Sequence, residues 1–155
     1  MIKKIILLSI TLILSFNYTI GQDFIKDNRY KGDSLYDFIH EWWGVKYLYG
    51  GTTKKGIDCS AFTQKLFFSV YNVNLPRTAR EQYIKAKKIN LSELKDGDLV
   101  FFRTKYKSTW HVGVYLFDGW FVHSKSKKGV TFDNLNNTIY KKTYRGGGRY
   151  LYDNI

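Results

Sequence analysis

Residues 56–71 read Gly56-Ile57-Asp58-Cys59-Ser60-Ala61-Phe62-Thr63-Gln64-Lys65-Leu66-Phe67-Phe68-Ser69-Val70-Tyr71. Phe62, Leu66 and Val70 recur at four-residue spacing, which predicts one buried face of a helix, and Asp58 is a residue type that caps a helix start. Cys59 falls at that start and is the only cysteine in the chain. Upstream, Asp33-Ser34 can cap another helix, whose stripe Leu35, Phe38, Ile39 and Trp42 runs to a stop at Gly44, leaving His40 off the stripe. Between the two lies Gly50–Gly56, a loop rich in small residues. Downstream, Leu75-Pro76-Arg77 breaks the chain direction before a short helix predicted over 78–87. The character then changes to β-rich runs at 98–102, 111–117, 120–123 and 129–132, separated by turn residues. Helices followed by antiparallel strands describe an α+β domain.

One cysteine makes no intramolecular disulfide and no multi-cysteine metal site, and three histidines, His40, His111 and His123, do little to supplement it. Neither metal nor cofactor is expected. Hydrophobic residues at 44% and aromatics at 18% exclude a disordered chain, and 155 residues suffice for one core. No internal repeat or Pro- or Gly-rich linker divides the chain.

Residues 1–21 contain Lys3 and Lys4, an apolar stretch from Ile5 to Phe16, small and polar residues after it, and no acid. That is the layout of a secretory signal peptide, with cleavage expected near Gly21 or Gln22. The apolar run is shorter than the ~20 residues of a comfortable membrane span, which counts against the competing reading as a retained anchor. The expected organisation is a signal at 1–21 and one domain at 22–155, exported to the periplasm, the medium or the cell wall, with no membrane attachment after cleavage. Loss of two lysines lowers the formal charge from +12 to +10. The basicity therefore belongs to the domain. Lysines at 54–55, 85–88 and 125–128 suit solvated surface or attraction to anionic wall components, and export argues against nucleic acid as a partner.

An exported domain with one unpaired thiol must bury it or use it. At a helix start the thiol is expected to be acidified by unpaired N–H groups, and a histidine is needed as base. His111 and His123 sit in neighbouring β-runs of one hairpin around Asp118-Gly119. A two-residue loop would pair positions summing to 237 and put the imidazoles on opposite faces. A three-residue loop at 117–119 gives 236, pairs Gly113 with His123, and makes His111 a diagonal neighbour at ~7–8 Å between backbones. The odd loop is the expectation. From composition alone, a buried structural cysteine and merely polar strand histidines remain open readings.

The segments Tyr47-Leu48-Tyr49-Gly50-Gly51-Thr52, Gly56–Phe62, Leu75-Pro76-Arg77-Thr78-Ala79 with Gln82, Gly97–Phe102, His111-Val112-Gly113-Val114-Tyr115 and Phe121-Val122-His123-Ser124 together resemble the NlpC-type peptidoglycan cysteine endopeptidases. The resemblance spans roughly residues 35 to 150. It implies a papain-like α+β fold, N-terminal helices packed on an antiparallel sheet, and a hydrolase that cuts peptidoglycan stem peptides, or the muropeptides derived from them, between D-glutamate and the following diamino acid. It implies Cys59 as nucleophile, His111 as base, His123 as the residue orienting that base, and Tyr47 beside the oxyanion. Asp58 and Ser60 would contact the amino end of the peptide. A monomer without cofactor is expected. One departure is visible: Ala61 stands at the usual glycine position, where a methyl group could narrow the site. Two alternatives stay open, an amidase or acyltransferase with the same site and a wall-binding module without activity.

Overall fold

The computed structural model describes residues 33–103 and 109–151. The expected signal segment lies outside them.

Helix α1 (Ser34–Trp42) opens with Asp33 Oδ1 accepting from the Leu35 N–H at 2.9 Å, and it buries Leu35, Tyr36, Phe38, Ile39 and Trp42. The stripe read from the sequence is the buried face, and His40 is exposed. A small hairpin follows, β1 (Thr52–Thr53) against β2 (Gly56–Ile57), immediately before helix α2 (Cys59–Tyr71). Asp58 caps α2 and Asn72, in the left-handed region, ends it. Helix α3 (Ala79–Lys85) begins with a full capping box between Thr78 and Glu81.

The remaining chain builds one antiparallel sheet in the order β3 (Lys87–Ile89), β8 (Tyr144–Arg149), β4 (Leu99–Arg103), β5 (Trp110–Tyr115), β6 (Trp120–Lys125), β7 (Gly129–Asn134). A short helix α4 (Thr138–Thr143) links β7 to β8. Strand alternation sorts side chains to two faces. Leu99, Phe101, Val112, Val114 and Val122 pack under α1, α2 and α3 in the main core, where Phe62, Leu66 and Phe67 are fully buried. Val100, Phe102, Phe121 and Leu135 form a second cluster on the opposite face, closed by Tyr140 of α4 and Tyr144. The fold is α+β, with helices packed on an antiparallel sheet as expected.

Strands β1, β2, β3 and β8 and helix α4 were not read from the sequence. Strand β8 carries Gly146, Gly147 and Gly148, a composition that argues against a strand. Close packing is what requires them: a Cβ on Gly148 would lie 2.6 Å from Ala86 Cβ and 2.9 Å from Phe101 Cε2. The β1–β2 hairpin has two residues per strand, and β3 has three. Each is too short to show a period.

Candidate active site

Strand β2 is the hinge on which the site is built. Ile57 N–H donates to the Lys46 carbonyl and its own carbonyl accepts from Leu48 N–H, so the segment carrying Tyr47 runs alongside Ile57. The same carbonyl accepts from Ser124 Oγ at 2.8 Å, which ties the end of β6 to the start of α2. Tyr47, Asp58, Cys59 and Ser60 from this junction line one cleft together with Arg77, Trp110, His111, Lys125 and Tyr140, enclosing about 860 Å³.

Strands β5 and β6 pair Val114 with Val122 and Tyr115 with Phe121, positions that sum to 236. The loop is the three-residue one, with Asp118 and Gly119 both at positive φ. His111 and His123 accordingly share a face, and His111 Nε2 lies 2.6 Å from His123 Nδ1. Gly113 sits opposite His123, and a Cβ there would approach Phe121 Cδ2 to 2.6 Å and His123 Cβ to 3.2 Å. The bare backbone at 113 leaves the space across which the imidazoles meet. His123 is fully buried, flanked by the edges of Phe121 and Tyr140.

His123 Nε2 contacts Asp133 Oδ2 at 3.0 Å. That oxygen also accepts from Tyr140 Oη at 2.7 Å and from the Lys125 ammonium. Burial alone would raise the Asp133 carboxyl, but these three donors and the charges behind them hold it well below the usual carboxylate range. Burial lowers His111 far below the ordinary imidazole value, and the positive charges of a protonated His123 and of Lys125 lower it further. His123 is lowered too, by burial against the opposing pull of Asp133. Both rings are neutral near pH 7. The sequence reading missed Asp133, Lys125 and Tyr140. The signal was present for Asp133: β6 and β7 pair His123 with Thr131 and Phe121 with Asp133, so the parity argument used for the first hairpin places Asp133 diagonal to His123.

Cys59 differs from its expectation. Burial is the largest influence on its thiol and the charge of Asp58 adds to it; the N–H groups of Val112, Ser60 and Cys59 pull the other way, and the net effect pushes the thiol up to about 11. The helix start does offer donors, but its cap is itself an anion, and a neutral His111 supplies no counter-charge. A buried thiol beside a carboxylate is a poor place for a second negative charge.

Asp58 is heavily engaged. Its carboxylate accepts from Arg77 Nη1 at 3.1 Å and Nη2 at 2.7 Å, Ser60 Oγ at 3.1 Å, Ala61 N–H at 2.7 Å and Gly50 N–H at 3.1 Å. Burial would raise its pKa, yet the Arg77 and Ala61 hydrogen bonds hold it below the ordinary value. Gln82, fully buried, donates to the Ser60 and Pro76 carbonyls and accepts from Thr63 Oγ1. Arg77 and Gln82 thus fasten the start of α2. The Ala61 methyl does not line the cleft; it is buried beside Phe38 and Trp42 of α1, in a separate cavity. Tyr47 is raised above its ordinary value by burial, then by the charges of Cys59 and Asp58, which places its hydroxyl in their field. Among the described residues no group of three His, Cys, Asp or Glu is arranged to hold a metal ion, and no helix is long and apolar enough to cross a membrane.

The cleft holds a helix-start cysteine and a strand histidine braced by a second histidine, and known proteins similar to this chain place it in a family. The chain is 45% identical over 118 residues to a protein of Haemophilus influenzae named as a probable endopeptidase NlpC homolog, covering 76% of this chain and 62% of that one. It is 40% identical over 117 residues to an Escherichia coli K12 protein named murein DD-endopeptidase MepS/murein LD-carboxypeptidase, with the same coverages of 76% and 62%. The chain therefore spans less than two thirds of the length of either relative. A crystal structure of an NlpC/P60 family protein from Bacillus cereus superposes with a TM-score of 0.71 at 32% identity, over 77% of this chain and 40% of that one. Residues 44–149 match the NlpC/P60 family, and the chain belongs to it.

Proposed function

We propose that this chain is an exported cysteine endopeptidase that hydrolyses peptidoglycan peptides. The observation that carries the reading is the convergence on one cleft of Cys59 and His111, with His123 hydrogen-bonded behind His111. One ring nitrogen of His111 is committed to His123, and the other remains to take the thiol proton. As the substrate amide enters, that proton moves to His111 while the sulfur attacks the carbonyl carbon. The imidazolium so formed protonates the departing amine, and water, deprotonated by His111 in turn, hydrolyses the thioester. His123 orients the His111 ring. The oxyanion is received by the Cys59 N–H, one of the first helical amides without a partner in the helix, and by the Tyr47 hydroxyl. A neutral thiol and imidazole at rest fit this scheme, because transfer and attack then occur together.

The bond cut is read as the one between D-glutamate and the diamino acid of the stem. A second reading, the D,D bond of a cross-link, is favoured by two observations. The Escherichia coli relative at 40% identity is named as a murein DD-endopeptidase. In addition, the Asp58 carboxylate already accepts five hydrogen bonds, so a peptide amino end could reach it only by displacing Arg77 or Ser60.

Mass spectrometry of cross-linked and uncross-linked muropeptides after incubation with the protein tests both. Fragments ending in D-glutamate support the first reading; monomers released from cross-linked dimers support the second. No cleavage by the wild-type protein, or cleavage persisting in Cys59→Ala, overturns the endopeptidase itself. Export is tested by N-terminal sequencing of the protein recovered from its native cells, with a start near residue 22 expected and a retained Met1 ruling it out.

A further inference from the structure

We propose that Asp133 is a positioning residue which, through His123, fixes the tautomer of His111 and so leaves the ring nitrogen turned away from His123 bare to take the thiol proton. The inference rests on the reading of Cys59 and His111 as nucleophile and base, and extends the site by one residue that neither the motifs nor the resemblance included.

The argument follows the protons. Ionised Asp133 can only accept hydrogen bonds, and it faces His123 Nε2 at 3.0 Å, so that nitrogen carries a proton. His123 is buried and neutral, so its Nδ1 has none and must accept. The 2.6 Å contact to His111 is then a donation from His111 Nε2–H. His111, neutral as well, is left with an unprotonated Nδ1, the atom available to Cys59. Reversing any one of these assignments reverses them all, because each neutral ring carries a single proton. The chain's direction is set at its far end, by the only member that cannot donate.

The surroundings of Asp133 keep it an acceptor. Tyr140 from α4 and Lys125 from β6 both donate to the same oxygen as His123. Lys125 and the carboxylate also balance each other's charge beside the rings. The other charged group near His123 is Lys128, in the turn before β7, which disfavours a second proton on the ring. His111 faces His123, Lys125 and Asp133. None of these groups except Asp133 favours protonation of either ring, so loss of its charge removes the sole opposing influence.

Nitrogen-15 shifts of the histidine rings in the isolated protein read the tautomers directly and need no substrate. The wild type is expected to show His111 protonated at Nε2 and bare at Nδ1, with His123 protonated at Nε2. A wild type with His111 protonated at Nδ1 overturns the proposal, and this measurement requires no variant to fold. In Asp133→Asn the amide N–H can donate to His123 Nε2 once Lys125 and Tyr140 turn to the amide oxygen, and the proton chain is expected to invert, moving the His111 proton to Nδ1. On muropeptides kcat should then fall at least about a hundredfold with KM within about twofold, since the wrong tautomer of a general-base histidine costs up to about 10⁴ in rate. Asp133→Glu, again acceptor-only, should restore the wild-type tautomers and part of kcat. Wild-type tautomers in Asp133→Asn overturn the proposal whatever the activity. If the wild-type protein cuts no muropeptide, the endopeptidase reading fails while the nitrogen-15 spectra still judge Asp133.

Discussion

His111 Nε2 and His123 Nδ1 lie 2.6 Å apart on neighbouring strands, over a backbone position that has no side chain. The contact depends on two independent features of the sequence. One is the odd loop between β5 and β6, which puts both rings on one face; the other is Gly113, which leaves room for them there. A loop with one residue fewer would send His123 to the opposite face, under the helices, where Val112, Val114 and Val122 are packed.

Gly113→Ala tests the second feature. The added methyl would sit 2.6 Å from Phe121 Cδ2 and 2.9 Å from the Val122 carbonyl oxygen, in a strand where neither neighbour is at a free end. Overpacking of this kind costs about 1–3 kcal/mol. Chemical unfolding should show that loss, and the displaced His123 ring should cost the folded variant at least about tenfold in kcat. A variant with wild-type stability and rate would mean that the sheet yields at no cost and that Gly113 has no part in holding the rings together.

The thiol makes a second prediction. With Cys59 pushed up to about 11 by burial and Asp58, and His111 held well below the usual imidazole range, the resting pair is neutral across the physiological range. Alkylation by iodoacetamide, followed by mass spectrometry, should be slow at pH 7 and accelerate continuously towards pH 10. A plateau with a midpoint below pH 7 would instead reveal a standing thiolate–imidazolium pair, and the neutral resting state would be wrong.

Legibility followed the range of the interactions. Helix α1 and the start of α2 were readable because capping and stripe periodicity are local rules that Asp33 and Phe38 obey, whereas strand parity left two loop lengths open and puts the histidines on one face only with the 117–119 loop that the structure has. Strand β8 was not readable, since its glycines serve contacts with Ala86 and Phe101 that the chain brings together only on folding. The acidity of Cys59 was misjudged for a related reason. The helix start is a local feature that lowers a thiol, whereas the burial that outweighs it comes from the sheet. Asp133 lay within reach of the parity rule, one hairpin further along, but nothing in its own segment marks it as part of the site. Ala61 looked like a departure within the cleft, and only the packing of α2 on α1 shows its methyl pointing elsewhere.

Arg77 gives the prediction with a sign to check. Its guanidinium makes two hydrogen bonds to Asp58, and its side chain is 41% exposed while that of Asp58 is 10% exposed. A fully buried pair broken on one side costs several kcal/mol; solvent screening of the half-open guanidinium reduces the figure here to about 1–2 kcal/mol. Arg77→Met keeps most of the stem's packing and removes the charge. The folded-state pKa of Asp58 lies below its ordinary value, so the stabilisation that accompanies ionisation is fully present above the unfolded value of about 4 and is lost as pH falls through the folded one. Part of that lowering is Arg77's. The stability gap between wild type and Arg77→Met should therefore be full at pH 7 and shrink below about pH 4, as the Asp58 carboxyl takes up its proton. Urea unfolding at pH 7 and pH 3.5 measures both gaps. Equal gaps at the two pH values would show that Arg77 holds the start of α2 through its hydrocarbon stem, and the ion pair would lose its part in fixing the segment that presents Cys59.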